Sequence, residues 1–304
     1  MLAYTLKRLL GAIPTIFILL TLTFALVHLA PGSPLDSDRP MTPTTRANLE
    51  AKYHMNEPLV QQYGRYLLNI AQLDFGTSFQ YKDTSVNSLI AAGFPVSLTL
   101  GGCALLLALG LGIPLGMLAA VRQNQAADYG AMGLSLAGIS VPNFVLGPLM
   151  VLAFAVYNDW LPAGGLDGWQ SYVMPVLALA AMYVAYVTRL MRASTIEVLR
   201  SNYIRTARAK GLSSFRVFFV HVLPAAMLPV VSFLGPAAAG ILTGSVVVEQ
   251  IFGIPGLGRF FVTGALNRDY TLVLGITLFY GIIIIVFNLI VDVIYGWLDP
   301  RVSY

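Results

Sequence analysis

The chain has 304 residues, of which 57% are hydrophobic and only 11% charged, with a formal net charge of +4 and a mean hydropathy of +0.74. A soluble domain of this length would need a far more polar surface than such a composition supplies, so a water-soluble enzyme is excluded as the starting class. The basic surplus is not read as a nucleic-acid footprint either, because its meaning lies in where the charges fall along the chain.

Six stretches contain no Asp, Glu, Lys or Arg: roughly 9–29, 97–121, 131–157, 172–188, 226–248 and 271–291. A helix of about 20 apolar residues crosses a hydrocarbon layer of about 30 Å, and ionisable side chains are costly at that depth. The sequence therefore predicts an all-α integral membrane protein with six transmembrane helices. The opening stretch, residues 1–30, has the charged start of a signal peptide. Its apolar run is longer than the usual ~7–15 residues and no A-x-A site follows, so it reads as an uncleaved first helix.

Residues 31–95 form an extracytoplasmic segment. Thr42 or Thr44 is placed to start a helix and Pro58 to start another. Leu59, Tyr63, Tyr66, Leu67 and Ile70 share one helical face, and "DFGTSFQYKD" reads as a turn-rich connection. Residues 96–293 hold spans two to six, and 294–304 form a tail. Gly112 and Gly116 are four apart, as are Gly240 and Gly244, a spacing that lets helices pack closely. Pro114, Pro142, Pro148, Pro175, Pro229 and Pro236 can kink the spans. The lone Cys103 allows no disulfide within the chain, so it says nothing of redox compartment.

Cytoplasmic loops carry the excess of Lys and Arg. With the N-terminus inside, eleven basic residues fall inside and seven outside, five of the seven in the long 31–95 segment, where charge counts little. Most acids, among them Asp36, Asp74 and Asp269, fall outside. Six spans then put both termini in the cytoplasm.

Several chemistries are missing. No G-x-x-x-x-G-K-[ST] occurs, so the chain has no nucleotide-phosphate loop of its own. There is no H-E-x-x-H and no G-x-S-x-G, and His28, His54 and His221 lack metal-ligand spacing. Glu249 and Asp292 fall near opposite ends of their spans and form no catalytic dyad. No ionisable residue sits at mid-membrane, as an ion-driven carrier requires. A protein of this kind that moves a solute uphill must draw energy from a partner. Asn143, Tyr183, Tyr186 and Asn288 are polar or amphipathic within spans and are candidates to face a wet pathway; hydrogen bonding between helices explains them as well.

The basic segment 203–224, "YIRTARAKGLSSFRVFFVHVLP", lies between the fourth and fifth spans. Good helix formers predict a helix over 192–210. Gly211 suits the left-handed residue that ends a helix, with Arg208 and Lys210 favourable at the negative end of its dipole. Ser213 or Ser214 is placed to cap a second helix, and Pro224 marks a bend into the fifth span. Ala207, Ala209 and Gly211 make the elbow slim enough to enter a groove on another protein. A solvated basic loop that only sets topology accounts for the arginines equally well.

These residues resemble the cytoplasmic signature of binding-protein-dependent ABC importer permeases: E-A-A, three residues, G, nine residues, I-x-L-P. Arg205, Thr206 and Ala207 stand at the E-A-A positions, Gly211 is the glycine, and His221-Val222-Leu223-Pro224 follow nine residues later. Arg replaces Glu and His replaces Ile, a variant similar to the peptide-type permeases. "DFGTSF", "VPNFVLGPLM", "GSVVVEQIFGIPGLGRFFVTGALNRDY" and "VDVIYGWLDPRV" extend the resemblance over essentially the whole chain.

The resemblance implies a type I ABC importer permease fold and a subunit without its own ATPase site. ATP and Mg would be bound by partner ATPase subunits, which would hold the elbow of Arg205, Thr206, Ala207, Gly211, His221 and Pro224. A second homologous permease subunit would complete the pore in the bacterial inner membrane, among its lipids, and a periplasmic peptide-binding protein would deliver oligopeptides. Dipeptide and nickel permeases share the framework and remain alternatives, as does a stand-alone channel.

Overall fold

The structure, a computed structural model, describes residues 2–29, 32, 33 and 42–298. Residues 299–304 of the expected tail and Asp36 lie outside the described residues. The helices are α1 (Leu2–Leu29), α2 (Pro43–Lys52), α3 (Leu59–Ala71), α4 (Val86–Val121), α5 (Ala126–Ser140), α6 (Asn143–Met150), α7 (Gln170–Leu199), α8 (Asn202–Ala209), α9 (Ser214–Arg216), α10 (Leu223–Ile251), α11 (Leu257–Leu266) and α12 (Tyr270–Leu298). Two stretches of wider π-type turns, Val151–Val156 and Val217–Val222, continue α6 and join α9 to α10.

Long apolar segments become helices because a helix satisfies every backbone N–H and C=O internally, which hydrocarbon demands. Among the described residues, five helical stretches are long and apolar enough to cross a membrane: Leu10–Leu29, Val86–Val121, Gln170–Leu199, Ser214–Ile251 and Tyr270–Val291. A sixth span results if α5 and the helix Asn143–Val156, bent by 99° at their junction, count as one. The uninterrupted run expected over 131–157 is thus broken. The cause is local: Val141 precedes Pro142, whose ring disfavours the α conformation in the residue before it, and Val141 is extended at φ −95°, ψ 112°.

The chain divides into two compact units, described separately: residues 10–96 with 255–282, and residues 1–9, 97–254 and 283–304. In the first unit, Val86, Leu89 and Ile90 of α4 pack with Leu257 of α11 and Leu272 and Ile276 of α12, flanked by Phe75, Phe94 and Phe279. Thr42 and Pro58 open α2 and α3, as their types predict, and the Thr42 hydroxyl accepts from the Thr45 N–H at 3.3 Å. The predicted face of α3 leans on α1. Tyr63 shares a 2.6 Å hydrogen bond with Thr21, and Phe24 stacks on Tyr66. Leu59 at the start of that face stays exposed. From α3, the Arg65 guanidinium, 2.7 Å from Glu57, holds that carboxyl below its ordinary range, with His54 adding to the effect.

Asp269 organises the turn-rich connection. It is fully buried and accepts hydrogen bonds from the Ser78 hydroxyl, the Gln80 N–H at 3.1 Å and the Leu272 N–H at 3.1 Å. One carboxylate therefore caps α12 and fastens the 74–85 loop. Asp269→Ala leaves these donors without an acceptor and is expected to cost about 3 kcal/mol, the scale for breaking a buried charged network. Limited proteolysis of the 42–85 region should accelerate in this variant and much less in Asp269→Asn, which keeps an acceptor.

In the second unit, α4 and α5 lie flush on α7 through glycines. A Cβ at Gly112 would meet Val187, one at Gly116 the Thr188 carbonyl, and one at Gly138 the Ala181 carbonyl. Val187 and Met191 of α7 pack with Ala226 and Val230 of α10, and the Ser194 hydroxyl donates to the Ala226 carbonyl at 2.7 Å. Glu249, fully buried, accepts from Ser97 at 2.6 Å and from Ser245 at 2.9 Å.

Candidate functional site

The predicted helix over 192–210 is two helices. α7 ends at Leu199, and Ser201 is extended at φ −68°, ψ 153° before α8 begins. The Ser201 hydroxyl donates to the Val198 carbonyl at 2.6 Å. Such short-range side-chain bonds offer the backbone an alternative to the helix.

α8 then presents two faces. Ile204 and Ala207, three residues apart on one side, are buried against Val217 and Val222, with Val198, Leu199, Leu212 and Phe218 around them. Arg205, Thr206, Arg208, Ala209 and Lys210 point outward. The Ala207 side chain, expected on the slim partner-facing side, instead lies in the elbow's own core, because the Ile204–Ala207 stripe is the one that meets the α10 leader. Ala207→Trp is therefore expected to unfold the elbow by overpacking it, by about 1–3 kcal/mol or more, and to lower the yield of intact protein along with any partner contact.

α8 ends as the sequence predicts. Gly211 is left-handed at φ +75°. Its N–H donates to the Arg208 carbonyl at 3.0 Å, and the Leu212 N–H donates to the Ala207 carbonyl at 3.4 Å. This pair of bonds is the Schellman arrangement that satisfies the last carbonyls of a helix. The Ser213 hydroxyl accepts from the Arg216 N–H at 3.3 Å and starts the next helix. Pro224 was expected to bend that helix, but the helix runs on from Ser214 to Ile251. The π-type turns just before Pro224 take up its ring and its missing N–H: the Leu223 N–H reaches back five residues, to Phe218, and such wide turns relieve a local misfit. His221 lies half-buried in this stretch, its carbonyl 3.5 Å from the Tyr203 hydroxyl. The elbow is thus a small core carrying an exposed cationic surface of Arg200, Arg205, Arg208, Lys210 and Arg216.

Three of the four pathway candidates face α10. Tyr183 is buried, its hydroxyl 2.7 Å from where a Gly240 Cβ would sit. The Tyr186 ring lies 5.8 Å from that of Phe233. The Asn288 side-chain oxygen lies 2.6 Å from a Cβ placed on Gly235. Asn143 is half-buried at the start of α6. Two cavities of about 330 and 340 Å3 lie elsewhere. One is an aromatic and polar recess including Phe24, Tyr66, Phe79 and Tyr270, the other an apolar groove including Leu111, Leu134 and Val184. None of the four candidates lines either.

Asp128 escapes a reading based on runs and motifs. It is 2% exposed in the first turn of α5, and Arg192 grips both its oxygens, at 2.6 and 2.7 Å. Its sequence signal was a lone acid at the edge of an apolar run in a segment placed inside, where the topology reading counted only basic residues.

The model of the family described as binding-protein-dependent transport system inner membrane component matches residues 112–304. The chain is 53% identical, over the full length of both proteins, to the oligopeptide transport system permease protein OppB of Haemophilus influenzae, and 51%, again over both full lengths, to that of Salmonella typhimurium. It is 44% identical to the dipeptide transport system permease protein DppB of Bacillus subtilis, over 99% of this chain and 97% of that one. In fold it is similar to a chain of the methionine ABC transporter MetNI solved in inward-facing conformations, at a TM-score of 0.59 and 17% identity, covering 69% of this chain and 96% of that one. An exposed elbow between two apolar helices, a set of five or six spans and these likenesses converge: the chain belongs to the family of inner-membrane components of binding-protein-dependent ABC transport systems.

Proposed function

We propose that this chain is a permease subunit that moves oligopeptides from the periplasm to the cytoplasm, driven by ATP hydrolysis on separate ATPase subunits. The observation that carries the reading is the full-length identity of 53% to an oligopeptide permease, and the elbow supplies a mechanism for it. Residues 202–212 form a cationic knob with its own small core, held beside the ends of two long helices. In this reading both termini are cytoplasmic, as the arginine distribution supports, and the knob projects toward the ATPases. ATP with Mg closes the ATPase pair, the elbow moves with it, and the bundle changes from inward-open to outward-open. That is a population shift driven by preferential binding to one state. A second homologous permease completes the pathway, and a periplasmic binding protein delivers the peptide.

Asn143, Tyr183, Tyr186 and Asn288 are assigned to the pathway wall. The packing of Tyr183, Tyr186 and Asn288 against α10 favours a structural role over tight peptide binding, so this chain alone should not hold a peptide at micromolar affinity. Dipeptides are the second reading, favoured by the 44% identity to a dipeptide permease. Uptake into proteoliposomes containing the complete complex separates them. Labelled tetra- and pentapeptides should enter and compete with one another. Preference for dipeptides, or uptake of nickel with no peptide competition, would replace the oligopeptide assignment.

A further inference from the structure

The end of α7 meets three other parts of the second unit within nine residues. Ser194 bonds the Ala226 carbonyl of α10 at 2.7 Å. Arg192 holds Asp128 of α5 through a two-pronged pair, Nε to Oδ1 at 2.6 Å and Nη2 to Oδ2 at 2.7 Å. Arg200 donates to the Gln123 side-chain oxygen at 3.1 Å. The turn between α4 and α5 is shaped to take part: Asn124 is left-handed at φ 61° and its N–H donates to Asp128 Oδ2 at 2.9 Å. In the last two turns of α4, Gly116 brings that helix against the backbone of residues 188 and 192. Only Arg200 and Ser201 separate α7 from α8, and the small core beneath α8 is flanked by Val198 and Leu199 of α7.

We propose that the Asp128–Arg192 pair is the joint through which displacement of the elbow is carried into α4 and α5, and that both are positioning residues for transport. An apolar contact would hold these helices together equally well, because a buried ion pair is no stronger than good packing once desolvation is counted. What the planar fork adds is direction: two parallel hydrogen bonds fix how α5 is rotated relative to α7. The elbow already reaches α10 through its own core and through Ser194. Without the fork, α4 and α5 would still pack on α7 through Gly112, Gly116 and Gly138, but nothing would fix their rotation to follow it. A chain of contacts becomes a coupling path only when breaking it separates input from output, and that separation is what the test measures.

The proposal rests on the elbow being the ATPase contact. The complete complex, with both permeases, the ATPases and the binding protein, is reconstituted in proteoliposomes with Asp128→Asn, Arg192→Lys, and the exchanged pair Asp128→Arg with Arg192→Asp. Peptide uptake and binding-protein-stimulated ATP hydrolysis are measured per assembled complex. The expected result is an uptake loss of about tenfold in each single variant, with hydrolysis within about twofold of normal, a differential barrier of about 1.4 kcal/mol. The exchanged pair should recover part of the peptide-to-ATP ratio. Uptake and hydrolysis falling in parallel, an unchanged ratio, or failure of every variant to assemble would each make the pair architectural and overturn the proposal. Failure of the elbow reading is seen separately, as ATPases that still co-purify with a Gly211→Val chain.

Discussion

Gly116→Leu is expected to separate α4 from α7 and abolish transport. An added Cβ there would lie 2.5 Å from the Thr188 carbonyl oxygen, 2.7 Å from the Met191 Cβ and 3.0 Å from the Arg192 nitrogen. Two of these three atoms are helix backbone, so no rotamer change relieves the clash. Overpacking of a tight core costs about 1–3 kcal/mol when side chains can yield. Here backbone obstructs, and we expect at least the upper end of that range, a large part of the ~5–15 kcal/mol that stabilises a folded domain. Even Gly116→Ala should be damaging, because its first carbon is the one that clashes. Gly110, on the same helix, has nothing within 4 Å of a Cβ, and Gly110→Leu should leave the thermal midpoint of the purified chain unchanged. Equal midpoints for the two leucine variants would show that the close approach is not required.

The two kinds of glycine show what the sequence could reveal. The four-residue spacing of Gly112 and Gly116 announced helix packing but not the partner, because spacing is a property of one helix and the partner lies some 70 residues away in α7. Gly211 was legible in full: its left-handed turn is a local necessity at the end of a basic helix. The start at Pro58 was legible too, while Thr42 and Ser213 were each one of two candidates that the structure selects. Six apolar runs likewise mapped onto helices, since hydrocarbon imposes helix on any such run. What failed to show was everything that depends on two distant segments. Ala207 reads as slim and exposed until the α10 leader is folded against it. Arg192 reads as a topology charge until Asp128 is placed opposite. Glu249 and Asp269 look like loop-side acids at the edges of apolar runs, yet both are fully buried, supplied with donors by serines more than 140 residues away in sequence. The break at Pro142 was within reach, because the restriction on the residue before a proline is local; the uninterrupted hydropathy of 131–157 concealed it.

Gly211→Val is expected to leave the chain inserted and abundant while uptake falls about tenfold, the change produced by about 1.4 kcal/mol at a limiting step. Gly211 is exposed and a Cβ there would touch nothing within 4 Å, so steric collision plays no part. The effect comes from φ +75°, which costs an L-residue about 1–2 kcal/mol and a β-branched one more. The turn must either carry that strain or reopen, and reopening frees the Arg208 and Ala207 carbonyls from the N–H groups of residues 211 and 212. Either outcome re-aims the last turn of α8, where Arg208 and Lys210 project. Gly211→Asn is the discriminating control: asparagine tolerates the left-handed region, so it should bind the ATPases and support uptake nearly as glycine does. If instead asparagine and valine are equally impaired, the bare backbone of Gly211 is itself a contact, and the partner approaches too closely for any side chain. If both are normal, the orientation of α8 is immaterial and the basic surface serves only to fix topology. Recovery of the ATPases with the tagged chain, measured beside uptake, separates the three.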